Sequence, residues 1–492
     1  MLKLSRRHFL IAGTAIAALP TVLARTGTAF AANDSPVSLE VATRTIEVNG
    51  KAATVYGIQQ PDGTLGLYTE AGTQFRVRLA NRLSEPTLVH WHGLTPPYQQ
   101  DGVPDLSQPA LAPGAAYDYD FTLARPGTYW MHSHVGLQEQ RLLAAPLIVR
   151  DPAEAGVDEQ EVVVLLHDFT FRDPEEVFAS LRQGGGRAME TGSEAPAMSM
   201  GTGQADMDHG GMAMGGQPTA AMDMDINDIE FDAYLANDRT LADPEVVRVE
   251  VEGRVRLRLI NGAAATNFLV DLGPLNGELI AVDGHPVMPI SGRRFEIAIS
   301  QRLDIRLRLP AGVGAYPVLA QREGDKARTG IVLATRGAPV ARVAAEAEKN
   351  ADAVGLSLER QLRASVSLAS RPADRSITLD LTGSMAGYTW TLNGARYGEH
   401  RPLTIRAGER VQVTLRNATN MSHPMHLHGH VLQVVAIDGK PLAGALRDTV
   451  LVPPRNSVTI AFDADNPGSW AFHCHHLYHM AAGMMTSVRY AA

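Results

Sequence analysis

The chain has 492 residues, 45% of them apolar, which is more than one ordinary domain requires. Its formal charge of −9 argues against nucleic-acid binding, because phosphates are bound by positively charged surfaces. A single cysteine, Cys474, excludes an internal disulfide and leaves this thiol for other chemistry. The 45 glycines and 29 prolines favour many short strands joined by turns.

Residues 1–31 have the features of an export signal. Two consecutive arginines, Arg6 and Arg7, precede an apolar run, and small residues before position 32 offer a cleavage site. The arginine pair resembles a twin-arginine signal, which predicts export by the twin-arginine machinery to the periplasm. The run is short and is broken by Pro20, so no stable membrane span is expected. Removal of this segment, with its four basic residues and no acid, would change the formal charge from −9 to −13.

Residues 35–151 are predicted to form a first all-β domain. Residues 74–79 alternate polar and apolar side chains with a period of two, and this pattern stops at Asn81. Asn49-Gly50, between two further alternating runs, predicts a tight turn. Short alternating strands of this kind are typical of a β-sandwich.

A second all-β domain is predicted for residues 160–337. A low-complexity insert, residues 184–224, interrupts it and contains eight of the 17 methionines of the chain. Thioethers are soft ligands for Cu(I), so we interpret the insert as a segment that captures Cu(I). The alternative is a disordered insert whose methionines have no role. Residues 338–375 are interpreted as a linker with one short helix.

The third predicted domain, residues 376–492, repeats features of the first. Residues 410–415 alternate in the same way as residues 74–79, and the two runs end at Asn417 and Asn81. A His-x-His-Gly sequence follows each asparagine. We therefore interpret the first and third domains as copies of one fold that supply metal ligands at the same place.

The chain contains four His-x-His units. Residues i and i+2 of a strand point to the same face, so each unit directs two imidazoles one way. One pair is weak evidence for a metal site, but four pairs that take 8 of the 17 histidines are hard to explain by packing. Eight imidazoles from two domains could hold several metal ions at an interface. The units are His90/His92, His132/His134, His426/His428 and His473/His475.

Cys474 lies between the two members of the last unit and therefore points to the opposite face. A thiolate, two imidazoles and a weak axial thioether are the ligands of a blue-copper centre. His423, three residues before His426, is the natural missing imidazole. With His479 and Met484 it completes the set around Cys474.

These motifs identify a resemblance to bacterial three-domain multicopper oxidases of the copper-resistance and laccase-like group. It covers essentially the whole mature chain and rests on His90-Trp91-His92-Gly93, His132-Ser133-His134, His423-Pro424-Met425-His426-Leu427-His428-Gly429 and His473-Cys474-His475 with its continuation to Met484. The resemblance implies an all-β fold of three cupredoxin-like Greek-key β-barrel domains, with the Met-rich insert in the second.

The resemblance also implies four copper ions: one type 1, one type 2 and two type 3. The implied type 1 ligands are His423, Cys474, His479 and Met484. The implied type 2 ligands are His90 and His426, and the implied type 3 ligands are His92, His132, His134, His428, His473 and His475. His430 and His476 have no place in this pattern and are expected to have structural or supporting roles.

The implied activity is one-electron oxidation of a reducing substrate coupled to four-electron reduction of O2 to water. The Met-rich insert favours Cu(I) as the substrate, and phenols and aromatic amines are expected as further reductants. We expect the protein to be a monomer and to serve copper tolerance. One alternative is a periplasmic protein that sequesters copper with the insert. Another is a cupredoxin scaffold that has lost its metals. A copper nitrite reductase would need far fewer histidine pairs.

Two acidic residues are further candidates. Asp101 matches an acidic position of the family and is expected to supply protons for O2 reduction, with a turn residue before Gly102 as the alternative. Asp448 matches a family aspartate near the type 1 site and is expected to orient a ligand histidine or to bind incoming Cu(I). The alternative for Asp448 is an exposed carboxylate at a strand end. Met480 stands where some relatives have an acid, which leaves a proton relay through that position in doubt.

Overall fold

The computed structural model describes residues 35–184 and 227–491, and almost all regular structure in these ranges is β-strand. The all-β prediction is therefore confirmed. The predicted signal, residues 1–31, and the Met-rich insert apart from Gly184 lie outside the described residues. Within the described ranges, neither α-helix is long and apolar enough to cross a membrane.

Two four-stranded sheets form the first domain, in the orders β2-β1-β4-β6 and β3-β8-β7-β5. The predicted turn Asn49-Gly50 joins β1 to β2, and both of its residues have positive φ. Three short 3-10 helices span Tyr98–Gln100, Gln138–Arg141 and Pro152–Glu154. The strands are β1 (Val37–Val48), β2 (Lys51–Gln59), β3 (Leu67–Glu70), β4 (Gln74–Asn81), β5 (Val89–His92), β6 (Ala116–Thr122), β7 (Gly127–Ser133) and β8 (Ala144–Arg150).

The second domain has a six-stranded and a five-stranded sheet, in the orders β10-β9-β12-β17-β14-β15 and β11-β19-β18-β13-β16. The one α-helix among its described residues precedes the insert and is capped by Asp173, whose carboxylate accepts a hydrogen bond from the Glu175 amide. The elements are β9 (Gln160–Phe169), α1 (Pro174–Arg182), β10 (Ala233–Ala236), β11 (Val246–Val249), β12 (Arg254–Asn261), β13 (Phe268–Asp271), β14 (Gly277–Val282), β15 (His285–Gly292), β16 (Arg294–Ile297), β17 (Arg302–Arg308), β18 (Ala315–Arg322) and β19 (Arg328–Thr335).

The third domain again packs two sheets together. Their orders are β21-β20-β23-β29-β25-β26, with β27 paired to β25, and β22-β31-β30-β24-β28. The elements are β20 (Arg375–Ser384), β21 (Thr389–Leu392), β22 (Leu403–Ile405), β23 (Arg410–Asn417), β24 (His423–Leu427), β25 (Leu432–Ile437), β26 (Lys440–Pro441), β27 (Leu446–Arg447), β28 (Thr449–Val452), β29 (Ser457–Asp463), β30 (Ser469–Cys474), α2 (Leu477–Ala481) and β31 (Met485–Tyr490).

The asparagine noted at the end of two strands occurs in all three domains. Asn81, Asn261 and Asn417 each end a strand and accept a hydrogen bond from the amide two residues later. Each amide group also donates to the backbone carbonyl of a residue 30 to 36 positions later, with separations of 2.8 to 3.3 Å. Only two copies are recognisable from the sequence, because the repeat is marked by the histidines that follow Asn81 and Asn417. No histidine motif follows Asn261 in the second domain.

The segment between the second and third domains differs from the prediction. Residues 338–375 contain no α-helix, so the expected short helix is wrong. The segment runs extended along the second domain through isolated bridges such as Ala327 to Glu346 and Val287 to Ala364. These pairings satisfy its backbone groups in place of a helix.

Candidate metal centres

Two mirrored strand pairs position the His-x-His units. In the first domain β5 pairs with β7 and sets His90 opposite His132. In the third domain β24 pairs with β30 and sets His426 opposite His473. The second histidine of each unit lies at or just beyond the strand end. Each domain therefore presents four imidazoles from two neighbouring strands of one sheet, which is the arrangement that the internal repeat predicted.

The eight imidazoles meet between the first and third domains. Their ring nitrogens face one another at 3.0 to 3.5 Å, and several sets of three ligand atoms lie within 4.8 Å of one another. The facing pairs are His90/His426 at 3.5 Å, His134/His473 at 3.4 Å, His428/His473 at 3.0 Å, His132/His475 at 3.3 Å and His92/His132 at 3.3 Å.

Backbone carbonyls hold the outer nitrogens of four of these rings. A carbonyl oxygen can only accept, so each Nδ1 must donate and each Nε2 is left with its lone pair directed into the cluster. The Nδ1 atoms concerned and their acceptors are His90 to Asp101 O at 2.8 Å, His132 to Ser133 O at 2.9 Å, His426 to Asp448 O at 3.0 Å and His473 to Cys474 O at 3.0 Å.

Three buried carboxylates surround the cluster, and each contacts one histidine from the first domain and one from the third. They hold the imidazoles across the domain interface, as carboxylates commonly do beside metal ligands. Asp101 contacts His90 at 3.3 Å and His428 at 2.9 Å, Asp448 contacts His92 at 3.0 Å and His426 at 3.5 Å, and Glu139 contacts His132 at 3.0 Å and His475 at 3.8 Å.

Burial favours the neutral form of several of these imidazoles. It lowers the pKa of His92, His134 and His475 well below the usual value, and neighbouring histidines lower it further. Burial likewise raises the pKa of Glu139 well above normal. Burial alone would also raise the pKa of Asp448, but the nearby Arg302 guanidinium holds it well below its usual range. Neutral imidazoles are the form that binds metal ions.

A second set of ligand atoms surrounds Cys474. Its Sγ lies 3.7 Å from His423 Nδ1 and 3.9 Å from His479 Nδ1, and the two nitrogens are 3.2 Å apart. Met484 is fully buried in the same apolar cluster, and its carbonyl accepts a hydrogen bond from the Cys474 amide at 3.0 Å. Burial raises the pKa of the Cys474 thiol, so a bound cation would be needed to stabilise the thiolate.

His479 is held from behind by residues of the second and third domains. Its ring stacks on His476 at 3.7 Å, and Asp228 lies 3.6 Å from its Nε2 and 3.3 Å from His476 Nε2. Thr419 Oγ1 is 2.8 Å from His423 Nε2. His476 therefore supports the Cys474 set. His430 instead hydrogen-bonds to the Tyr490 hydroxyl at 2.7 Å and to the backbone carbonyl of His428, a member of the histidine cluster, at 3.0 Å.

The structure corrects the expected surroundings of Asp448. Its contacts are to His92 and His426 and not to the Cys474 set, so the expected position near the type 1 ligands is wrong. It is also only 2% exposed, so the alternative of an exposed carboxylate is wrong, whereas its contact with His92 fits the expected orientation of a ligand histidine. Asp101 follows a 3-10 helix but is 1% exposed and faces the cluster, so it is more than a turn residue.

Sequence reasoning missed three residues of these sites: Glu139, Asp228 and Arg302. Glu139 lies five residues after His134, and an acid so close to a His-x-His unit is the one local signal available. Asp228 and Arg302 come from the second domain, far in sequence from the residues they contact. No local pattern could have indicated them.

A cavity of about 670 Å³ lies beside the histidine cluster and beside the helix that carries His479. Its walls include Phe178 of α1, Tyr388 and Met480, the neighbour of His479. It also reaches His134, which is only partly buried. Molecules in this cavity would therefore approach the Cys474 set on one side and the histidine cluster on the other.

The donor atoms fit copper. Converging neutral imidazoles suit copper or zinc, whereas calcium and magnesium require oxygen ligands. A thiolate with two imidazoles and a thioether is specific to blue-copper chemistry. The side chains thus match two kinds of copper site that are joined by the segment 473–475.

Three family models, each described as multicopper oxidase, match residues 40–154, 160–338 and 370–492. Multicopper oxidase MmcO of Mycobacterium tuberculosis is 32% identical over 99% of this chain and 97% of its own length. Copper resistance protein A of Escherichia coli is 27% identical over 85% of this chain and 86% of its own. Laccase-2 of Botryotinia fuckeliana is 26% identical over 84% and 74%.

Solved structures show the same fold. A multi-copper oxidase from Pseudomonas thermotolerans superposes with a TM-score of 0.68 at 24% identity, over 92% of this chain and 98% of that chain. A laccase from Botrytis aclada gives a TM-score of 0.74 at 21% identity, over 92% and 86%. With the sequence relationship to MmcO, these likenesses establish that the chain belongs to the multicopper oxidases, oxidoreductases built from cupredoxin-like domains.

Proposed function

We propose that this multicopper oxidase takes single electrons from Cu(I), and also from phenols or aromatic amines, and reduces O2 to water. In this proposal the type 1 copper is held by His423, Cys474, His479 and Met484, and the type 2 copper by His90 and His426. The two type 3 coppers are held by His92, His132, His134, His428, His473 and His475. The position of Cys474 between His473 and His475 is the observation that carries the proposal.

Bound copper supplies one-electron redox chemistry with O2 as the final acceptor. The chain supplies the connection between the sites, because Cys474 is covalently joined to a histidine on each side. His473 Nδ1 also donates to the Cys474 carbonyl at 3.0 Å, which adds a hydrogen-bonded path beside the covalent one. Apolar packing around Cys474 and Met484 excludes water from this path.

Asp101 is our candidate for holding and passing protons at the O2-reducing site. Its Oδ2 lies 2.9 Å from His428 Nδ1. The adjacent loop packs closely on β5, because a side chain at Gly102 would clash with Val89 O. O2 reduction consumes protons, and a carboxyl beside the cluster is a suitable donor. Asp448 has a different task, since its carboxylate accepts from His92 Nε2 and orients that ring.

The Cu(I) assignment rests on where the insert leaves and rejoins the described chain. Helix α1 lines the cavity through Phe178 and Arg182 and ends two residues before the described chain stops at Gly184. At the other end, Asp228 follows the insert and contacts His479. The insert, whose sequence contains eight methionines, thus joins the described chain next to a helix that lines the cavity at one end and next to a residue that contacts His479 at the other. We also propose periplasmic location through twin-arginine export.

Purified protein tests the central proposal. We expect about four tightly bound coppers, an intense thiolate-to-copper absorption band and O2 uptake with Cu(I) and with a phenol. Cys474→Ser should abolish the band and the O2 uptake. Protein that lacks the band, or a Cys474→Ser variant as active as the parent, would contradict it. Many labile Cu(I) ions without turnover would favour copper sequestration instead.

Deletion of residues 189–224 tests the Cu(I) substrate separately. The deletion leaves every proposed copper ligand in place. We therefore expect cuprous oxidase activity to fall several-fold while phenol oxidation and the absorption band persist. Equal loss of both activities, or no loss of either, would contradict a role for the insert in Cu(I) oxidation.

A further inference from the structure

The second domain contributes none of the proposed copper ligands, yet one of its side chains reaches the histidine cluster. We propose that Arg302 is a positioning residue that acts through Asp448 to hold His92 and His426 in their metal-binding orientation. This inference rests on the proposed function. It assigns the second domain a direct part in building the O2-reducing site.

Arg302 joins all three domains at one point. It is fully buried at the start of β17, and its Nη1 donates to Asp448 Oδ1 and to Ser300 O, both at 2.9 Å. Its Nη2 donates to the other Asp448 oxygen. Its Nε donates to Thr128 O of the first domain at 3.2 Å. This fork engages both oxygens of Asp448 and fixes the plane of the carboxylate.

Asp448 passes this orientation on to two histidines. Its Oδ1 accepts from His92 Nε2 at 3.0 Å and lies 3.5 Å from His426 Nδ1. Because Nε2 of His92 donates, its Nδ1 keeps the lone pair and faces His132 Nε2 at 3.3 Å. A carboxylate buried without a counter-ion is costly, so Arg302 keeps Asp448 charged and in place.

The glycine of the first histidine motif leaves room for this pair. A Cβ at Gly93 would lie 2.6 Å from Arg302 Nη2 and 2.8 Å from Asp448 Oδ2. Asp101 and Glu139 are the other two acidic residues at the cluster. Among the described residues, all of their ion-pair partners are histidines. Of these three acidic residues, Asp448 is therefore the one that pairs with an arginine of the described chain.

The test compares Arg302→Met, Arg302→Lys and Asp448→Asn in copper-loaded protein, with Arg258→Met as the control. Arg258 is likewise buried and pairs with Asp304 and Glu161, and none of its hydrogen bonds or ion pairs with described residues involves a histidine. Arg302→Met and Asp448→Asn should each weaken binding of the type 2 and type 3 coppers about 10- to 100-fold. They should also change the type 2 electron paramagnetic resonance signal. The type 1 absorption band should remain.

Rescue and additivity separate positioning from mere stability. Arg302→Lys restores the charge and should recover part of the copper affinity. The double variant Arg302→Met/Asp448→Asn should bind copper no more weakly than the more impaired of the two single variants. If Arg302→Met only lowers the melting temperature as Arg258→Met does, with unchanged copper affinity and signal, the inference is wrong. Should Arg302→Met not fold, Asp448→Asn decides by the same readouts. Parent protein without any copper sites would contradict the proposed function instead.

Discussion

The Nε2 atoms of His134 and His473 lie 3.4 Å apart, although 339 positions separate the two residues in sequence. His428 Nε2 also lies 3.0 Å from His473 Nε2. These three nitrogens belong to two domains; His428 and His473 are buried and His134 is partly buried. At most one proton can be shared between any two of them, so the arrangement is satisfied best by a bound cation.

Copper-free protein should therefore be sensitive to acid. The unfolded pKa of histidine is about 6.5, whereas burial lowers the folded pKa of His479 to about 3 and that of several cluster histidines well below normal. Below pH 6.5 the unfolded chain binds more protons, so the stability present above that pH is lost as pH falls. His479 alone would lose about 2 kcal/mol between pH 7 and pH 5.

Denaturant titrations of copper-free protein at pH 7 and pH 5 measure this loss. Copper-loaded protein provides the control, since bound metal competes with protons and should delay the loss to lower pH. Equal free energies of unfolding for copper-free protein at the two pH values would contradict the prediction.

Gly93→Ala should damage the histidine cluster. The new Cβ would meet Arg302 and Asp448 at under 3 Å, and φ is +88°. We expect reduced copper content together with a loss of about 1 to 3 kcal/mol for the backbone, with more from the clash. Gly114→Ala is the matched control, because its φ is +77° but no atom lies within 4 Å of the added carbon. A similar effect of both substitutions would show that the Arg302–Asp448 contact is unimportant.

Glu139→Ala should weaken copper binding at the His132 side of the cluster about 10- to 100-fold, because the ring of His132 loses the carboxyl group that lies 3.0 Å from its Nδ1 and helps to orient it. Glu139→Gln keeps an acceptor oxygen and should retain more affinity. Copper titration with the binuclear absorption signal reports the difference. Glu359→Gln, in a buried carboxylate paired with Arg447, serves as the control. An unchanged copper affinity in Glu139→Ala would show that Glu139 has no role at the site.

Met484→Leu should keep the blue band and raise the potential of the type 1 site. In the proposed type 1 site the thioether would be a weak axial donor that stabilises the oxidised ion more than the reduced one, and leucine fills similar volume without a donor atom. Redox titration followed at the blue band measures the change. Met421→Leu, in the same buried cluster but outside the proposed ligand set, should leave the potential unchanged. A potential unchanged by Met484→Leu would argue against axial ligation.

The sequence alone determined the all-β class, the repeated strand with its terminal asparagine, and the ligand types. These features are local. Alternation of polar and apolar side chains with a period of two indicates a strand, and the spacing in His-x-His or His-Cys-His indicates which side chains share a face. The position of Cys474 opposite its flanking histidines follows from three consecutive residues of one strand end.

Only the tertiary structure decided what surrounds the ligands. Asp448 was expected beside the Cys474 set but lies against His92 and His426, because β28 runs next to β24 on the side that faces the first domain. Arg302 and Asp228 reach the sites from the second domain through contacts that span more than 140 residues. Such long-range contacts depend on how domains pack together, and no pattern within a window of sequence encodes that packing.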